Sequence, residues 1–130
     1  MAALSDHAEA LLLDWLMTTG TATRPTSWYV ALYTAAPSDS GGGTEVSGNG
    51  YSRQAATFAA ASSPGGTTSN TGDIAFTASG GNWGTITHIG IFDASTAGNL
   101  LWHGSMTASK VVNDGDTLQF STGNIDLTIA

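Results

Sequence analysis

Cysteine is absent from the 130 residues. That removes disulfide frameworks, thiolate nucleophiles and cysteine-ligated zinc at once. Basic residues are nearly absent as well. Arg24, Arg53 and Lys110 stand against ten Asp and Glu, for a formal net charge of −7. Nucleic acid binding draws on clustered Lys and Arg that neutralise phosphates, and three scattered cations exclude nucleic acid as a partner. The same balance opposes docking on an anionic membrane surface. No apolar run reaches the ~18 residues that a membrane-crossing helix needs. The opening MAALSDHAEALLLDWLM lacks a basic leader region, and Asp6, Glu9 and Asp14 interrupt it, so it is not read as a signal peptide. Charge of either sign makes up 10% of the chain, against about 25% in an ordinary soluble domain. So uncharged a surface suits a protein covered by neighbours.

What is present organises into one helix and a series of strands. Leu4, Ala8, Leu11, Leu12, Trp15 and Leu16 recur at spacings of three and four, which predicts an amphipathic helix over 5–18. Ser5 is placed to cap it, Asp6 and Glu9 suit the positive end of its dipole, and Gly20 supplies a stop. The stripe is expected to pack on the chain's own sheet, with Leu12, Trp15 and Leu16 as a candidate contact to a neighbour.

Past Pro25 the pattern turns to strands: SWYVALYT (27–34), YSRQAATF (51–58), a short strand at 74–77, WGTITHIGIFD (83–93), LLWHGSMT (100–107), SKVV, TLQF and IDLTIA (125–130). The 83–93 and 100–107 strands are expected to form a hairpin, and SKVV and TLQF a second one across the turn NDGD. Short strands without interleaved helices predict a mainly β fold: a single domain over 1–130, an antiparallel β sandwich or jelly roll over about 27–130 with one N-terminal α-helix.

The passage YTAAPSDSGGGTEVSGNGYSRQ carries Gly41, Gly42, Gly43, Gly48 and Gly50. A phosphate cradle would need a lysine and a following helix; here a strand follows, and Asp39 and Glu45 would repel a phosphate. The passage reads as a long surface loop. Its glycines make ordering costly, so residues 35–50 are expected to be mobile alone and fixed by a partner, with Gly41, Gly42, Gly43 and Glu45 as candidate contacts.

Other candidate chemistry is thin. NDGD could offer Asp114 and Asp116 to calcium, but Asp and Asn beside Gly form turns first. His88 and His103 fall in strands that could be neighbours, with no third ligand in view. No Gly-x-Ser-x-Gly element occurs. Trp15 and Trp28 lie on faces expected to be core, which leaves Trp83 as the exposed aromatic of a carbohydrate-binding module. The expectation is therefore a protein that is not an enzyme, with no cofactor, no metal and no catalytic residue.

LSDHAEALLLDWLM, WYVALYTAAPSDSGGGTEVSGNGYSRQ, WGTITHIGIFDASTAGNLLWHG and VVNDGDTLQF together resemble a family of small virion proteins of tailed bacteriophages, whose members carry the labels tail-fibre or structural protein. The resemblance runs from Leu4 to about Leu127. It implies a β-rich building block without enzyme activity or cofactor, made in the host cytoplasm and resident in the virion. The chain's small size and lack of fibre repeats favour a capsid decoration or cement protein, bound to the major capsid protein. The alternatives are a tail component at the fibre or baseplate attachment, docked on tail proteins, and a carbohydrate-binding module. A symmetric homo-oligomer, a trimer first, is the expected unit.

Overall fold

A computed structural model describes residues 2–129. Strand β1 (Ala2–Leu4) leads into helix α1 (Asp6–Met17), and nine further strands follow: β2 (Trp28–Ala35), β3 (Thr44–Glu45), β4 (Gln54–Ala56), β5 (Thr67–Ser69), β6 (Ile74–Thr77), β7 (Gly84–Phe92), β8 (Leu100–Val112), β9 (Thr117–Phe120) and β10 (Asp126–Thr128). The fold is mainly β and antiparallel, with its one helix among the described residues at the N-terminus, as the alternation predicts.

The main sheet runs β1-β8-β7-β2-β3, and β4 shares the outer side of β2 with β3. Its centre is β7, and across the ladder to β2 Val30 faces Ile91 and Leu32 faces Ile89. Period-two alternation then sorts the side chains. Val30, Leu32 and Ile91 point inward and join Ile74, Phe76, Leu118 and Leu127 in the principal core. Those last four belong to two ribbons, β6–β9 and β5–β10, that cover the inner face as a second layer. A register shift between Ile86 and His88 turns Ile86 onto the same inner face despite its opposite parity.

The outer face carries a smaller cluster of Ala31, Tyr33, Phe92 and Leu100. Gly90 lies between them, and a Cβ there would stand 3.0 Å from both Leu100 and Tyr33. The start of α1 shields this side. Ser5 caps the helix by accepting from the Ala8 amide, and its hydroxyl donates to the Leu100 carbonyl. Its own amide donates to the Leu101 carbonyl at 2.9 Å, so the N-terminal end of α1 is fastened to β8. The helix ends at a Thr18 cap, two residues before the expected Gly20 stop.

Two expectations need correction. TLQF does not return on SKVV. SKVV is the end of the continuous strand β8, and β9 pairs with β6 through Ile74↔Phe120 and Phe76↔Leu118. The NDGD turn therefore carries the chain from the main sheet into the second layer. Burying Leu118 in the core outweighs the local preference for a hairpin, because a turn sequence fixes a reversal but not which edge the next strand joins. The expected strand 51–58 shrinks to Gln54–Ala56, the residues that pair with Trp28, Tyr29 and Val30 of β2.

Candidate functional site

The Gly-rich passage is held by its own domain, against the expectation that a partner orders it. Val46 is buried in the principal core, and its amide donates to the Leu32 carbonyl at 3.0 Å. Beside it stands a network that sequence reading missed. Arg53 grips Glu45 with two parallel hydrogen bonds, Nε to Oε2 and a terminal nitrogen to Oε1, both 2.9 Å. The Tyr51 hydroxyl donates to Glu45 Oε2 at 2.7 Å and accepts from the Leu32 amide at 3.0 Å. The other guanidinium nitrogen of Arg53 donates to the carbonyls of Ala94 and Ala97, and its central carbon lies 3.6 Å from the centre of the Phe92 ring. One arginine thus joins β3, the outer cluster and the 93–99 loop.

The electrostatics follow from this geometry. Burial pushes the Glu45 carboxyl up, but the hydrogen bonds from Arg53 and Tyr51 prevail and hold it below the ordinary carboxylate range. Burial and the hydrogen bond to Glu45 raise the Tyr51 phenol, whereas burial and the nearby Glu45 charge take Tyr33 to about 12. The hydrogen bonds to Glu45 raise the already high value of Arg53. A planar fork on a carboxylate, half out of water, is the strong form of ion pair. Glu45 is therefore committed inside the subunit and is not free as an interface contact.

The rest of the passage is fastened too. The Asp39 carbonyl accepts from the Asp6 amide at 2.9 Å, and Asp39 Oδ1 lies 2.7 Å from His103 Nε2. Gly43 has φ +74, and a Cβ there would fall 2.7 Å from the Pro37 nitrogen. Glycine is required at that point by backbone conformation and close approach together. Gly42 is exposed and Gly41 half-buried, and a Cβ on either would meet nothing within 4 Å.

Trp83 corrects the carbohydrate expectation. It is 7% exposed, its ring N–H donates to the Asn49 carbonyl at 3.0 Å, and it meets Tyr51 edge-on. A side chain so enclosed cannot serve as a sugar platform. The remaining polar candidates are absorbed locally. Asp114 accepts from the Gly80 amide and Asp116 from the Asn113 amide, so the NDGD carboxylates shape a turn. His88 bonds its neighbour Thr87 and stands opposite Ser105, whereas His103 stands opposite Gly90. The two histidines are not cross-strand partners.

The helix gives the opposite surprise. Its stripe does not vanish into the sheet: Ala8 is its one buried residue among those described, Leu11 and Leu12 are half-buried, and Trp15 and Leu16 are 66% and 64% exposed. Leu13 and Met17 are open as well, at 61% and 76%. Beneath the helix lies an apolar groove of about 260 Å³, walled by Leu12 and Trp15 on α1, by Trp28 and Trp102 on the sheet, and by Ile129, with Arg24 at its margin. The sequence carried a signal for this. From Leu11 to Met17, six of seven residues are apolar, and a helix apolar all round is either enclosed or partnered. The stripe of Leu4, Ala8, Leu11, Leu12, Trp15 and Leu16 leaves Leu13 and Met17 outside it.

A second, more polar groove of about 570 Å³ opens between β8 and the β9 and β10 ribbons, floored by Ile89, Trp102, Met106 and Phe120. Among the described residues, no group of three or more His, Asp or Glu side chains is placed to hold a metal ion. Nor is any helix long and apolar enough to cross a membrane.

Comparison with known proteins gives the family. No curated protein matches the chain. A protein-family model does, that of the podophage GP4 fiber I protein gp80, over residues 3–128. With nearly its whole length matched, the chain belongs to that family, and so to the structural proteins of the phage virion.

Proposed function

We propose that the protein is a non-enzymatic subunit of a tail fibre, rather than the capsid decoration protein that its size and composition first favoured. The observation that carries this reading is the match of residues 3–128 to a family described as a fibre protein. The surface supports it. Four of the six large exposed hydrophobic side chains among the described residues crowd into Leu13–Met17, at one end of the molecule. Apolar patches of that kind mark contacts with other proteins. The working unit we propose is a closed homo-oligomer of three copies, since cyclic symmetry is the usual way a small chain multiplies its contacts.

The non-enzymatic part of the proposal is supported by the occupation of the reactive side chains. His103 is held by Asp39, and Glu45 by Arg53 and Tyr51.

Gold-labelled antibody on purified virions tests the location. Label on the fibres, with a copy number far below that of the major shell protein, is the expected result. Label spread over the capsid at high copy number would restore the decoration reading.

A further inference from the structure

We infer that the apolar end of α1 is a head-to-tail contact between copies of this chain: the Leu13, Leu16 and Met17 ridge of one copy enters the Trp15, Trp28 and Trp102 groove of the next. The inference deepens the homo-oligomer reading above, but it does not depend on where in the virion the protein sits.

The geometry comes from the helix itself. Successive residues turn by about 100°. Ala8, Leu11, Leu12 and Trp15 therefore share the side that overhangs the groove, Leu13 and Met17 share the side turned away from it, and the exposed Leu16 stands between, roughly 90° round from the groove side, at the edge of the ridge. A subunit with its ridge and its groove on opposite sides of one helix cannot satisfy both against a two-fold partner. It satisfies both in a ring, where each copy gives its ridge to one neighbour and its groove to the other.

Charge chooses the occupant. Helix α1 carries Asp6, Glu9 and Asp14, with no basic residue in its last turn. The charge at the groove's margin is Arg24, which is exposed and makes no ion pair among the described residues. Asp14 flanks the ridge at Met17, one turn away on the same side. A neighbour's ridge brought into the groove carries Asp14 toward Arg24, and no second acidic residue opposes it from the groove's walls.

Size explains why a ring is needed. A ridge of three side chains in one groove is a small contact beside the standard pairwise interface, which begins at about 1,200 Å². In a ring every copy makes the contact twice, and the last contact to close is intramolecular, so weak single contacts suffice.

Light scattering on the full chain tests the inference, over a concentration series at about 0.15 M salt, where repulsion between the acidic chains is screened beyond ~8 Å. The wild type is expected to show the mass of a closed oligomer. Leu16→Glu is expected to give a monomer with unchanged circular dichroism and urea midpoint, because the side chain is exposed in the subunit. Arg24→Glu is expected to weaken association at least tenfold, and Asp14→Arg combined with Arg24→Glu to recover most of that loss. A wild type that stays monomeric throughout would overturn the inference and leave the face to a different virion protein. An oligomer indifferent to Leu16→Glu, or to both charge variants, would overturn it equally. Antibody label on the capsid would sink the fibre reading yet leave these masses unchanged, so the two failures are separable.

Discussion

The Gly-rich passage and the C-terminal half of α1 have exchanged the roles their compositions suggest. The passage has five glycines and almost no apolar surface, yet it is tied into the molecule by Val46, by Glu45 on Arg53 and by Asp39 on α1 and β8. The helix end is nearly all apolar, yet it projects from the molecule with Trp15, Leu16 and Met17 open. Ordering cost and burial are not properties of a segment alone. Fixing a residue's backbone costs roughly 1–2 kcal/mol, but the offsetting contacts come from wherever in the chain the fold brings them. For the passage they come from Arg53 and from the helix N-terminus. For the helix end, no described residue covers Leu13, Leu16 or Met17 in this way.

The comparison breaks most sharply at Arg53. Truncating one member of an enclosed ion pair leaves the other desolvated and unpaired, at about 3–5 kcal/mol. Arg53→Ala is expected to lose at least the lower end of that range in urea unfolding, since it also strips donors from the Ala94 and Ala97 carbonyls and uncovers Phe92. A loss below about 1 kcal/mol, the level of an exposed pair, would mean the passage is not held as described. The same pair sets an acid limit. Glu45 has a depressed pKa in the folded chain, so its contribution to stability is complete above its unfolded value, about 4.3, and is lost as pH falls through the folded value. The urea midpoint of the wild type should drop in that window, and Glu45→Gln, already destabilised at neutral pH, should show a shallower drop.

A smaller effect separates two neighbours inside the passage. Gly42 and Gly43 both have positive φ, +77 and +74. Alanine at either position incurs the left-handed penalty of about 1–2 kcal/mol. At Gly42 the methyl group meets nothing, whereas at Gly43 it strikes the backbone at Pro37 and Ala35, 2.7 and 2.8 Å away. Gly43→Ala should therefore lower the thermal midpoint clearly more than Gly42→Ala. Equal losses would mean the passage yields to the added methyl and is looser than its contacts imply.

These contrasts also mark what the sequence could disclose. Strand positions 27–34 and 83–93, the β7–β8 hairpin and the Ser5 cap follow from alternation and local chemistry, which act over a few residues. Short strands β3 and β5 are not legible in the sequence because Thr44–Glu45 and Thr67–Ser69 are too short and polar to show an apolar alternation; they pair because β2 and β10 pass beside them. The Glu45–Arg53 fork was hidden for a related reason. The two residues are eight apart across glycines, a separation with no fixed geometry until β3 forms. Trp83, expected at the surface, is enclosed, and Trp15, expected in the core with a neighbour as the second choice, is open, because an apolar residue on a stripe tells that a face wants cover without telling which molecule provides it. The family resemblance implies the virion, and the family match shows it.

The smallest expected effect falls at the other end of the comparison, on Met17. Its side chain is 76% exposed and it closes the last turn of α1, where glutamine has nearly the same intrinsic helix preference. Met17→Gln removes apolar surface that the subunit does not cover, so the free energy of unfolding of the dilute chain should stay within about 0.5 kcal/mol of the wild type, the usual range for surface changes. Association, by contrast, should weaken, because the ridge loses its most exposed apolar side chain. The measurement is a pair: urea unfolding at a concentration too low for association, and light scattering at high concentration. A clear loss in the dilute chain would show that Met17 folds back onto its own domain, and the helix end would then be core that a static view leaves open. An unchanged dilute chain with a lower oligomer mass would place the value of this residue entirely between copies, which is where the contrast with Arg53 locates it.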